Sequence, residues 1–300
     1  MYSQTLHLRP FLIVVVVSLL ILGGCASMAG ALGTPPSLAS KTTSTTDLLN
    51  LPAPKQKLYV GVFAFLDQTG QHKPNPNYSD FSFAVTQGAT SMLIDALSDA
   101  GSGAWFRVLE RNRLPDLLQE RQIIRANRIE FPGASGQPVE PLGPLLNAGV
   151  VLEGGIIGYD SNVVTGGAGA NYLGIGASVQ YQKDTVSIYI RAVSVLTGEI
   201  LTSVTAEKTI YSVNTDASLF AFVGFNKLLQ VEGGVSANEP VSLCVKQAVE
   251  LGVYATIMEG ALKGYWSFAD PDKQKQLLDD YQKTRGGFAP ASTSAAVANQ

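Results

Sequence analysis

Residues 171–182, NYLGIGASVQYQ, decide how this chain is read. Side chains of an extended strand point to alternate faces. Leu173, Ile175, Ala177, Val179 and Tyr181 therefore share one face, and Gly174, Gly176, Ser178, Gln180 and Gln182 the other. A second run repeats the pattern: Tyr211, Val213, Thr215, Ala217, Leu219, Ala221 and Val223 oppose Ser212, Asn214, Asp216 and Ser218. A return strand is expected with Leu229, Val231, Val235 and Ala237 on one side and Gln230, Glu232, Ser236 and Asn238 on the other. Before Gly166 the alternation is weaker, because Ile156 and Val164 interrupt it. Hairpin turns are expected at 166–169 and 224–226.

Alternation alone describes any half-buried antiparallel strand. Length adds information, since soluble strands run to about 5–6 residues and a tilted strand needs about 9–11 to cross a bilayer. The runs here are long, and their polar faces are small and uncharged for most of their length, with charges such as Lys183 and Asp184 read as the strand end. That suits one face against lipid and one against a water-filled lumen; soluble hairpins remain the alternative at this point. If the strands span, one chain cannot close a barrel, and open edges in hydrocarbon leave backbone groups unpaired at several kcal/mol each. Several copies would have to share one barrel.

Outward from this segment, the two ends read as export and tail. Residues 1–24 carry Arg9 and the apolar run Phe11 to Leu22, short for a membrane helix but suited to a signal peptide. Leu22-Gly23-Gly24-Cys25 looks like a bacterial lipobox, which makes Cys25 the expected lipidation site; an ordinary signal peptide with a stray cysteine is the alternative. Ala26 in place of an aspartate favours sorting to the outer membrane. Residues 25–50, rich in Ser, Thr, Gly, Pro and Ala, read as a lipidated flexible tether, and residues 285–300 as a disordered tail.

Between the ends, 51–152 and 239–284 read as a periplasmic α/β domain and 153–238 as a β-region bearing two membrane-spanning hairpins. The expected elements are a strand over 57–66, a helix over 82–100, a strand over 105–109 and a helix over 111–123. A helix from Glu239-Pro240 to Lys263 and a polar helix over 270–281 complete them. With 300 residues, 46% hydrophobic and 15% charged, the chain can bury a sizeable core. A net charge of -3 shows no basic footprint for nucleic acid. Only His7 and His72 supply imidazole, so a histidine metal centre is not expected. No phosphate-binding loop, nucleophile elbow or paired metal-ligand spacing occurs, and neither an enzyme nor a cofactor is expected. Cys244, in the apolar stretch 241–249, reads as a buried structural thiol.

Across residues 48–266 the chain resembles the CsgG family of curli secretion channels. The resemblance rests on stretches in one order: 50–54 (NLPAP), Asp67 with 69–71 (TGQ), Lys73-Pro74, 109–111 (LER), Glu120-Arg121 with 123–126 (IIRA), and Glu153-Gly154. It continues through 156–159 (IIGY), Ser161-Asn162, 174–177 (GIGA), 197–201 (TGEIL) and 238–241 (NEPV), with the lipobox and Cys244. It implies a homo-oligomeric ring of about nine copies whose hairpins build an outer-membrane β-barrel of roughly 36 strands. It also implies ATP-independent, diffusive export of unfolded, amyloid-forming curli subunits from the periplasm. The partners implied are a periplasmic capping factor and an extracellular-side accessory protein. The family narrows its channel with a loop bearing Tyr, Asn and Phe, which falls here on 71–83 (QHKPNPNYSDFSF). Asn75 or Tyr78 takes the Tyr position, Asp80 stands where the family has Asn, and Phe81 matches. A non-pore outer-membrane lipoprotein acting as a scaffold or assembly factor is the competing reading.

Overall fold

The computed structural model describes residues 41–72, 84–131, 141–165, 180–215, 219–223 and 240–285. One mixed sheet of six strands organises them, in the order β2-β1-β3-β4-β5-β6. The strands are β1 Leu58–Asp67, β2 Phe106–Glu110, β3 Val150–Thr165, β4 Gln180–Ser194, β5 Ile200–Thr215 and β6 Leu219–Val223. The helices are α1 Thr43–Leu49, α2 Ala89–Asp99, α3 Leu114–Glu130, α4 Pro240–Leu262 and α5 Pro271–Arg285. β1 pairs in parallel with β2 and β3, whereas β3, β4, β5 and β6 pair antiparallel in succession. The mixed α/β class expected from the sequence is what the chain adopts.

The core lies between one face of the sheet and α2 and α4. Val60, Val62 and Phe65 of β1, Leu152 and Ile156 of β3, and Val186, Ile188, Ile190 and Ala192 of β4 are buried. Their partners across the layer include Leu93 and Leu97 of α2 and Val245, Val249, Val253, Ile257 and Met258 of α4. By length and composition α4 could cross a bilayer, but most of it is buried within the protein, as the core helix of a sandwich is. Apolar burial of this kind is worth about 25 cal/mol per Å². The turn 101–103 after α2 has positive φ at Gly101, Ser102 and Gly103. Trp105 packs so closely on Gly101 that a Cβ there would lie 2.7 Å from the indole Cδ1.

Several boundaries differ from expectation. α2 begins at Ala89, not Ser82: Thr90 Oγ1 both accepts from the Phe65 N–H (2.9 Å) and donates to the Phe65 carbonyl (3.1 Å), pinning the first turn to β1. α3 starts at Leu114 with Pro115 in its first turn, where a missing N–H costs nothing, and continues to Glu130. Residues 43–49, read as tether, form α1, capped by reciprocal Thr42 and Thr45 bonds and carrying a fully buried Leu48. The lower parts of β3, β4 and β5 share the buried core with β1, α2 and α4. α5 runs to Arg285, and 286–300 lie outside the described residues.

Candidate functional site

Strands β3, β4 and β5 have 16, 15 and 16 residues. At about 3.3 Å per residue each extends roughly 50 Å, far more than the helix layer covers. Among the side chains described along them, the last buried are Tyr159, Asp184 and Ile210; Asp160, Ser161 and Asn162 beyond are exposed. Pairing nevertheless continues past that level, to Thr165↔Gln180 between β3 and β4 and to Thr215↔Leu219 between β5 and β6. Two hairpin stems therefore leave the α/β body side by side.

Thr215 pairs with Leu219, and β5 and β6 run antiparallel. The alternation over 211–223 is thus not one strand turning at 224–226; it belongs to two strands, and period-two spacing in both concealed the break. Residues 166–179, including 171–179 of the opening stretch of alternation, and the expected return strand over 229–238 lie outside the described residues.

β1 ends where the stems begin. Its last residue, Asp67, pairs with Ile156 of β3, and the Gln68 N–H still donates to the Ile156 carbonyl at 2.9 Å. Asp67 Oδ1 then accepts from the Thr69 N–H (2.9 Å) and Thr69 Oγ1 (2.7 Å), an Asx turn that reverses the chain. The Ala84 N–H donates to the Gln71 carbonyl at 2.9 Å, and Gln87 Nε2 donates to Asp67 Oδ2 at 3.3 Å. The two feet of the segment 73–83 are therefore held together, as in an Ω-loop. They stand beside the hairpin stems, and Gln68 Nε2 reaches Tyr189 Oη of β4 at 3.2 Å. Asn75, Tyr78, Asp80 and Phe81 belong to that segment and lie outside the described residues, as does Cys25.

Beneath the stems sits a polar junction that the spacing did not indicate. Lys183 and Asp184, expected as charges at a strand end, lie inside β4, and Asp184 is fully buried. Tyr159 Oη donates to Asp184 Oδ1 at 3.1 Å, and Cys244 Sγ donates to the Asp184 carbonyl at 3.4 Å. Cys244 is buried, as expected; burial pushes its thiol from an ordinary 9.0 up to about 12, and the adjacent Asp184 charge adds to the shift. A thiol so held is not a nucleophile. Among the described residues, no three His, Cys, Asp or Glu side chains gather as a metal site.

A second buried polar group joins α1 to α4. Glu250, 3% exposed, accepts from Thr42 Oγ1 (2.7 Å), Thr45 Oγ1 (2.6 Å) and Lys246 Nζ (2.6 Å). The run of threonines at 42–46 was the available signal, and its low-complexity composition hid it.

A family profile described as "Curli production assembly/transport component CsgG" matches residues 41–285, the span of the described fold. The CsgG of Salmonella typhimurium is 43% identical over 272 residues, covering 90% of this chain and 96% of the relative. That of Escherichia coli K12 is 43% identical over 275 residues, covering 91% and 96%. Among solved structures, a PelC dodecamer from Paraburkholderia phytofirmans shares 13% identity over 67% of this chain and 90% of that chain, with a TM-score of 0.29, too slight a likeness to carry an argument. Profile and full-length identity agree, and the chain belongs to the CsgG family of curli production assembly/transport components.

Proposed function

We propose that this chain is an outer-membrane secretion channel that passes unfolded curli-type subunits from the periplasm to the cell surface by diffusion. The observation that carries the reading is the pair of hairpin stems continuing beyond the buried core. β1 leaves β3 at Ile156, and β6 ends the sheet, so the projecting part has an edge on either side. In hydrocarbon those edges need strands from neighbouring copies, and a ring in which β6 of one copy meets β3 of the next supplies them. Membership of a family named for curli assembly and transport supports the cargo class.

In this reading Cys25 is acylated and anchors the chain, while the α/β body stays in the periplasm beneath the barrel. The flanks of the segment 73–83 are held together beside the stems, which supports a role for the segment as the narrowing. Phe81 faces the channel, with Asp80 and either Asn75 or Tyr78 completing each copy's contribution. A ring of Asp80 carboxylates makes the narrowing anionic. The periplasm supplies no ATP, and the chain performs no chemistry on its cargo. A capping factor on the periplasmic side and an accessory protein on the extracellular side are the expected partners.

Planar-bilayer recording tests this directly. Purified, detergent-extracted protein should insert to give stable, discrete conductance steps. A protein that never conducts is a scaffold rather than a channel.

A further inference from the structure

α3 has no buried residue among the described residues, yet it carries the exposed apolar side chains Leu118, Ile123 and Ile129. Helices in proteins draw most of their stability from packing, so its surface calls for a partner. Its sequence divides into three lengthwise stripes at helical spacing. Leu114, Leu117, Arg121, Ile124 and Arg128 are half-buried and face the chain's own body, with Arg121 donating to the Gly143 carbonyl. The other two stripes face outward. One is apolar and basic: Leu118, Gln122, Arg125 and Ile129, with Leu118 44% and Ile129 81% exposed. The other is acidic around one apolar residue: Asp116, Glu120, Ile123, Asn127 and Glu130, with Ile123 44% exposed. Asp116 is engaged by Arg113 at 2.8 Å, which leaves Glu120 and Glu130 as the outward charges of that stripe.

We infer that α3 is a subunit contact, in which the Leu118–Arg125–Ile129 stripe of one copy packs on the Glu120–Ile123–Glu130 stripe of the next copy of this chain. The two stripes are complementary in charge, and each carries apolar side chains to cover the other. At about 100° per residue they are roughly 150° apart around the helix, so one α3 can touch two neighbours at once. Unlike stripes on opposite flanks make a head-to-tail contact, and head-to-tail contacts close into rings. A self-matching dimer would need one stripe to pair with itself, setting acid against acid. The inference rests on the multi-copy reading above and adds where the copies touch below the barrel.

The test is disulfide trapping. Residues 120 and 122 point to opposite sides of the helix, so Glu120→Cys with Gln122→Cys in one chain cannot bridge within a copy, and Cys244 is buried. The oxidised double variant should show covalent species larger than a dimer, while each single variant should show none. Imaging of the unsubstituted protein runs in parallel. Rings without trapping would overturn the α3 contact and leave the channel standing. No rings would overturn the channel and this contact with it. Dimers from either single variant would overturn the head-to-tail arrangement. As a second measure, Arg125→Glu should shift assemblies toward free subunits, and adding Glu120→Lys should restore them; an unchanged distribution would count against the contact.

Discussion

Thr45 Oγ1 donates a 2.6 Å hydrogen bond to Glu250 Oε1, joining residues 205 positions apart and fixing the start of the folded chain to the middle of its core helix. Lys246 reaches both, at 2.9 Å to Thr45 Oγ1 and 2.6 Å to Glu250 Oε1. Removing the carboxylate would strand Lys246 and two threonine hydroxyls. Glu250→Ala is expected to cost about 3 kcal/mol of stability. Denaturant unfolding checks this, and limited proteolysis should cut first near residue 50. Thr45→Val should cost less, on the order of 1 kcal/mol.

Gly260 of α4 lies directly beneath the Trp266 ring, and a methyl group at its Cβ would overlap the indole. Trp266 also donates its Nε1–H to the Ile257 carbonyl at 2.8 Å, so it cannot simply swing away. Gly260→Ala should therefore destabilise by about 1–3 kcal/mol despite alanine's better helix propensity. Tryptophan fluorescence during unfolding reports the change. A more stable variant would mean the indole is free to move.

Cys244 provides a pH test. Its thiol titrates at about 12 when folded, against an ordinary 9.0, because burial penalises the thiolate. At pH 8 the folded thiolate fraction is then about one in ten thousand, against about one in ten unfolded. Alkylation by iodoacetamide, followed by mass spectrometry, should be at least about 100-fold slower in the native protein than in denaturant. The sign for stability follows. Between pH 9.0 and about 12 the unfolded chain releases a proton that the folded chain retains, so stability falls as pH rises through that window and is unaffected by this group below it.

Two substitutions probe the narrowing. With Phe81 in the narrowing, as proposed, Phe81→Ala should raise single-channel conductance while assembly is unchanged, because a ring of large side chains would become a ring of methyls. Asp80→Asn should weaken any preference for cations, since carboxylate rings select them. Unchanged current in both would place the narrowing elsewhere.

The sheet was legible where one physical pattern ruled. KLYVGVFAFL at 57–66 became β1, and Glu239-Pro240 marked the start of α4 to within a residue. Helix starts were less so: apolar spacing from Ser82 onward could not show that Thr90 ties the first turn to Phe65. The alternation over 211–223 ran from β5 into β6 without losing phase, so pattern alone could not show that two antiparallel strands share it. Asp184 looked like a strand-end charge because nothing local reveals that Tyr159 and Cys244 close over it. α1 was hidden by composition, since a threonine-rich segment folds here by burying Leu48 and meeting Glu250.

Everything functional depends on several copies joining their hairpin stems around one opening. Negative-stain electron microscopy of protein extracted gently from the outer membrane measures that directly. Rings with a central stain-filled hole and a regular number of subunits are the expected result. Separate monomers, under conditions where the α/β body is folded, would contradict it.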